Sequence, residues 1–143
     1  MLACFAYLHT YLMQTQFMTA INTLPNAIIH IKNLRLRTYI GFNPEELDKK
    51  QDVIINVDIH YPAQRACETD EAQRAVNYKD ITKRIIHHVE DGQFKLLERL
   101  AFDILDIASD HPNVKHARVT VDKPHALRFA DSVSITLSTP ISH

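Results

Sequence analysis

The chain has 143 residues, a formal net charge of -1 and a pI near 6.7, with 45% hydrophobic residues. That supports one sizeable core and not two, and it offers no global basic field for nucleic acid or an anionic membrane surface. The two cysteines, Cys4 and Cys67, have neither close nor metal-type spacing, which argues against a disulfide framework and for a reducing, cytoplasmic setting.

Residues 1–17, MLACFAYLHTYLMQTQF, carry no Lys or Arg, are interrupted by polar side chains and precede Met18. They lack the basic start and cleavage site of a secretory signal and are too short and polar to span a bilayer. The expectation is a mis-assigned start or a disordered arm, ahead of a single domain over 18–143.

Ala27 to Ile40 predicts a strand whose phase slips midway, with Ile29 and Ile31 apolar at odd positions and Leu34 and Leu36 at even ones. Such a slip around Asn33 is the pattern of a β-bulge, and it throws Arg35 and Arg37 onto the other face. Asn43-Pro44 marks a turn. Gln51 to Tyr61 then alternates, with Val53, Ile55, Val57, Ile59 and Tyr61 on one face, so the two strands form a long hairpin. A polar connection from Pro62 to Ala75 follows. Ile81, Ile85 and Val89 recur at helical spacing between Tyr78 and Glu90, with Asn77 placed as N-cap and Gly92 as terminator. A second helix over Lys95 to Ser109 presents Leu97, Leu100, Ala101, Ile104 and Ala108 to the core, and His111-Pro112 breaks it. Strands from Ala117 to Lys123 and from Asp131 to Ser138 complete the chain. The order ββααββ predicts an α+β fold, a four-stranded antiparallel sheet with both helices on one face. The sheet's long unprotected edges favour a homo-oligomer in which neighbouring subunits close the sheets into a ring.

Lys123 shares the apolar phase of Ala117, Val119 and Val121, and Pro124 stops the strand directly after it. A cation aimed at the buried side is unusual, and desolvation disfavours the charged form of an amine, which brings its proton within reach of transfer chemistry. The blander reading, a lysine that snorkels past the strand end, is the commoner case for a single residue. Glu98 falls beside Phe102 and Leu105 on the second helix and is expected to border the core, where a carboxylate must find donors. Glu46 follows the turn after Gly41, and Tyr78 opens the first helix; alone they read as a solvated carboxylate and a packing aromatic. The nine histidines lack metal-ligand spacing, and with two glycines in the chain there is no dinucleotide, phosphate-loop or serine-hydrolase motif.

Taken in order, Gly41 with Glu46, Val76-Asn77-Tyr78-Lys79-Asp80-Ile81, Leu96-Leu97-Glu98-Arg99-Leu100 and Val121-Asp122-Lys123-Pro124 resemble the dihydroneopterin aldolase family. The likeness runs from about Ala27 to Leu137. Flanking stretches, among them Ile31 to Gly41, Gln51-Asp52, His60-Tyr61-Pro62 and Lys123 to Ser134, are similar to a branch of the family that epimerises a phosphorylated substrate.

The resemblance implies the tunnelling fold (T-fold), with subunits in rings, typically an octamer of two stacked tetramers, and pterin pockets between subunits. It implies no cofactor and no metal, because the dihydropterin ring imine serves as electron sink. It places catalysis on Lys123, Tyr78 and Glu46, the tyrosine coming from the neighbouring subunit, and substrate binding on Glu98, Leu97, Val76 and Asn77. The implied reaction inverts the second side-chain carbon of 7,8-dihydroneopterin triphosphate by retro-aldol and aldol steps, giving 7,8-dihydromonapterin triphosphate. Arg35, Arg37, His125 and Arg128 are candidates, by charge and position, for the triphosphate tail. An aldolase that releases glycolaldehyde and a non-catalytic pterin-binding ring protein are the alternatives.

Overall fold

The computed structural model describes residues 24–141, so the expectation for residues 1–17 lies outside the described residues. In chain order the elements are β1 (Ala27–Ile40), β2 (Gln51–Tyr61), α1 (Gln64–Thr69), α2 (Tyr78–Glu90), β3 (Gln93–Phe94), α3 (Leu97–Ser109), β4 (His116–Pro124) and β5 (Ser132–Ser138). They fall into two units. One takes in Ala27–Tyr61 and the chain from Val76 onward; Pro62–Ala75 belongs to the other.

In the larger unit the phase slip of β1 is a bulge. Ile31 pairs with Val57 and Leu34 with Ile55, so Lys32 and Asn33 together oppose Asn56. Asn33 takes the left-handed conformation, φ 52°, which asparagine tolerates better than most residues. Its N–H donates to Asn56 Oδ1 at 2.9 Å, and Asn56 Nδ2 donates back to Asn33 Oδ1 at 3.3 Å. After the slip, Leu36, Thr38 and Ile40 are buried, while Arg35 and Arg37 are exposed on the opposite face.

The sheet order is β3-β1-β2-β4-β5. The four long strands pair antiparallel as expected, but a fifth, β3, joins the edge of β1 in parallel, Tyr39 opposite Gln93 and Ile40 opposite Phe94, so the sheet is mixed. Two residues are too few to show a period, which is why the sequence did not reveal this strand. Gly92 makes its approach possible, since a Cβ there would lie 2.5 Å from the Phe94 ring.

Both helices pack through the apolar stripes read from their spacing. α2 buries Ile81, Ile85 and Val89, and its N-cap Asn77 accepts the Asp80 N–H at 3.1 Å. α3 buries Leu100, Ala101, Ile104 and Ala108, and begins at Leu97 because Leu96 is extended. Against them lie Val53, Ile55, Val57 and Ile59 of β2 and Ala117, Val119 and Val121 of β4, all fully buried. Each larger side chain among these contributes roughly 1.5–3 kcal/mol by leaving water.

The Pro62–Ala75 segment is more regular than a polar connection. It holds α1, ended by Asp70 in the left-handed conformation (φ 55°), and a 3₁₀ turn, Ala72–Arg74. A six-residue helix without a buried side chain has no hydrophobic period to read. Among the described residues no helix is long and apolar enough to cross a membrane.

Candidate functional site

β4 carries its alternation to its end. Ala117, Val119 and Val121 are fully buried, and Lys123, next in phase, is only 8% exposed. Its Nζ donates to Glu46 Oε1 at 2.6 Å, an ion pair whose side chains are 10% and 17% exposed.

Glu46 closes a 3₁₀ turn, Pro44–Glu46, that starts from Asn43. Its second oxygen, Oε2, accepts the Asn43 N–H at 3.2 Å, the reach-back of a capping carboxylate. The hydrogen bond from the Lys123 ammonium holds the Glu46 carboxyl below the usual carboxylate range; partial burial pushes the other way, and Asn43 and Gln51 add further donors. Gly41 lies against this carboxylate, and a Cβ there would fall 2.1 Å from Oε2. Gly41 also has φ 133°, a region that disfavours side chains, while its N–H donates to Phe94 O at 2.9 Å.

The pair floors a cleft of about 440 Å³, within the range of small-molecule sites. The same cleft is lined by Lys95, just ahead of α3, by Leu97 and Glu98 in its first turn, and by Ser134 of β5. The expectation that Glu98 borders the core is corrected. It is exposed and has no hydrogen-bond or ion-pair partner among the described residues. The stripe that turns inward is Leu100, Ala101, Ile104 and Ala108, whereas Phe102, its neighbour on the wheel, faces outward. Glu98 is thus an acceptor pair open to a ligand. It sits in the first helical turn, where backbone N–H groups lack intrahelical partners.

Of the predicted site residues, the structure brings together Lys123, Glu46, Glu98 and Leu97. Tyr78 is 52% exposed at the start of α2 and does not line this cleft. Val76 is buried, Asn77 is engaged as a helix cap, and neither lines it. Arg35, Arg37 and His125 line a second cleft, of about 280 Å³, together with Asp52 and Pro124. Arg128 is not part of that lining; its guanidinium lies 5.6 Å from the centre of the Phe129 ring.

Two residues escaped the sequence reading. Lys95 adds a second cation to the main cleft. Gln51 donates Nε2 to Ile40 O at 2.7 Å while also serving the Glu46 carboxylate. Gln51 shares the odd, inward phase of Val53 and Ile55, the same signal of a polar group on an apolar face that marked Lys123. Several of the histidines pair with acids instead: His30 with Asp58 at 2.5 Å, His87 with Asp91 at 3.1 Å and His88 with Asp103 at 2.8 Å.

The sheet, the helix pair and the cleft at the end of β4 define an α+β protein of the tunnelling fold. Residues 29–138 match the family described as dihydroneopterin aldolase, and the chain belongs to that family. It is 57% identical over 114 residues to the dihydroneopterin triphosphate 2'-epimerase of Escherichia coli K12, covering 80% of this chain and 95% of that protein. The protein of the same name from Pseudomonas aeruginosa PAO1 is 56% identical over 112 residues, 78% of this chain and 91% of that one. The crystal structure of E. coli dihydroneopterin aldolase in complex with neopterin superposes with a TM-score of 0.75 at 24% identity, covering 80% of this chain and 99% of that one.

Proposed function

We propose that the protein inverts the second side-chain carbon of 7,8-dihydroneopterin triphosphate, giving 7,8-dihydromonapterin triphosphate. The observation that carries the proposal is the buried Lys123–Glu46 pair sharing one cleft with the unpartnered Glu98 carboxylate, in a chain 57% identical to a dihydroneopterin triphosphate 2'-epimerase.

Glu98 accepts paired hydrogen bonds from the amidine-like edge of the pterin, a charge-assisted bidentate contact, and the first-turn backbone around Leu97 supplies donors beside it. With the ring so anchored, its side chain lies toward Lys123 and Glu46. The proton of the second-carbon hydroxyl leaves to the carboxylate end of the pair or its water. The bond between the first and second carbons breaks, and its electrons pass to the ring imine, whose nitrogen takes a proton from Lys123. The pair gains one proton as it gives one up, so no net charge builds in the cleft. The aldehyde fragment turns over, and addition to its opposite face re-forms the bond with the configuration inverted.

Tyr78 acts in the cleft of a neighbouring subunit, relaying or orienting the proton. This agrees with its exposure and its absence from its own subunit's cleft. The working form is then a ring-forming homo-oligomer, an octamer of two stacked tetramers, in the cytoplasm.

The test is product analysis. Purified protein is incubated with dihydroneopterin triphosphate and separately with unphosphorylated dihydroneopterin, and epimer and free aldehyde are resolved by chiral chromatography. The expected result is epimer from the triphosphate. Predominant cleavage of the unphosphorylated compound would replace this reading with an aldolase, and no turnover of either would leave a pterin-binding ring.

A further inference from the structure

We infer that the second cleft, lined by Arg35, Arg37 and His125, holds the triphosphate tail and keeps the aldehyde fragment from escaping between bond cleavage and bond re-formation. This rests on the epimerase reading above. In that reaction the phosphates ride on the aldehyde fragment, so whatever grips them grips the piece that must stay.

Position supports the inference first. Lys123 lines the reaction cleft on the helix side of the sheet, while Pro124 and His125, next in the chain, line the second cleft on the opposite face. Both open at the same strand end, so a tail that rounds that end passes from one to the other. His125 takes φ 66°, the left-handed conformation, where the chain leaves β4.

Charge supports it next. Arg37 is balanced by Asp52, its Nε 3.2 Å from Oδ1, and its Nη2 donates to Lys50 O at 2.9 Å. These bonds fix the guanidinium in place. Arg35, by contrast, has no acidic partner among the described residues although it lines the same cleft. An unneutralised guanidinium beside a positioned one suits the planar, forked recognition of phosphate oxygens.

The bulge supplies both. Without the extra residue at Asn33, Arg35 and Arg37 would keep the parity of Ile29 and Ile31 and point at the helices. Arg128, outside the lining and set against Phe129, is left out of the tail site.

The test uses the wild type and Arg35→Ala, an exposed position whose truncation leaves the strand pairing intact. With the triphosphate as substrate, the variant is expected to raise KM at least tenfold and to increase released aldehyde per epimer formed. With unphosphorylated dihydroneopterin, both quantities should stay at wild-type values. Inorganic triphosphate should inhibit wild-type turnover of the triphosphate competitively, with an inhibition constant at least tenfold weaker in the variant. Unchanged KM, partition and inhibition for the phosphorylated substrate would overturn the inference, as would equal losses on both substrates. A wild type that epimerises neither compound would instead remove the epimerase reading, and inorganic triphosphate binding to it, measured by calorimetry with and without Arg35, would still report on the cleft.

Discussion

Gly41 and Glu46 are fitted so closely that a single carbon on Gly41 would stand 2.1 Å from Glu46 Oε2. The glycine, at φ 133°, is what allows the carboxylate to lie over the backbone and still meet Lys123. Gly41→Ala should therefore do two things. It strains a backbone that prefers no side chain, costing about 1–3 kcal/mol, and it displaces the carboxylate from the ammonium. We expect kcat to fall by roughly 10–100-fold beyond any loss of folded protein. Steady-state kinetics on material shown folded by circular dichroism checks this, and wild-type kcat in the alanine variant would refute it.

The Lys123–Glu46 pair should behave as one unit. Lys123→Met leaves a largely buried carboxylate without its cation, and Glu46→Gln leaves the ammonium without its anion. Each is expected to lower stability by about 1–3 kcal/mol, between the values for exposed and deeply buried pairs. The double variant should lose less than the sum. Urea denaturation of the four proteins measures the coupling. Turnover should drop by roughly 10²–10⁴-fold in either single variant, the usual contribution of a positioned acid or base, while sedimentation shows unchanged assembly.

Acid stability follows from the same carboxyl. Because Glu46 is held below its unfolded value, its contribution is fully present above about pH 4.5 and is lost as pH falls through the lower folded value. Half-buried His60, kept below its usual value by burial first and then by the neighbouring His116, behaves with the same sign about two pH units higher. Its contribution is present above about pH 6.5 and lost on acidification. Unfolding free energy plotted against pH should flatten in the lower window for Glu46→Gln and in the upper one for His60→Gln. Parallel curves for wild type and variants would contradict both assignments.

Glu98 should separate binding from folding. It is exposed and unpartnered, so Glu98→Ala should shift the denaturation midpoint by no more than about 0.5 kcal/mol. Loss of a bidentate charge-assisted contact, about 1.5–3 kcal/mol, should weaken pterin binding by roughly 10–150-fold. Fluorescence titration with neopterin reads this directly; retention of affinity would place the pterin elsewhere.

The bulge can be tested at Asn33. Asn33→Gly keeps the left-handed backbone, loses only the bond that Asn33 Oδ1 accepts from Asn56 and should cost about 1 kcal/mol, whereas Asn33→Val loses the same bond and also opposes that backbone, costing about 2–3 kcal/mol. Similar stability of the two variants would show that conformation at this residue is unimportant.

Much of this architecture was legible because it depends on local period. The alternation of β2 and β4, the stripes of α2 and α3, the Asn77 cap and the slip at Asn33 are each set by neighbours within a few residues. Lys123 was visible for the same reason, as a charge in an apolar phase, and Gln51 carried that mark unnoticed. β3 and α1 were hidden, being too short to repeat.

The sequence by itself determined which side chains face inward, since strand parity and helical spacing are properties of the chain alone. It also carried the motifs that identify the family. Only the tertiary structure decided which of those residues meet. Lys123 and Glu46 are 77 positions apart and bond because the end of β4 passes the turn after β1, while Tyr78, equally marked in sequence, stays outside that cleft. Nor could spacing tell that Glu98 opens to solvent or that Arg35 and Arg37 share a cleft with His125 but not with Arg128. Such meetings depend on how whole elements cross and pack, and no local period encodes that.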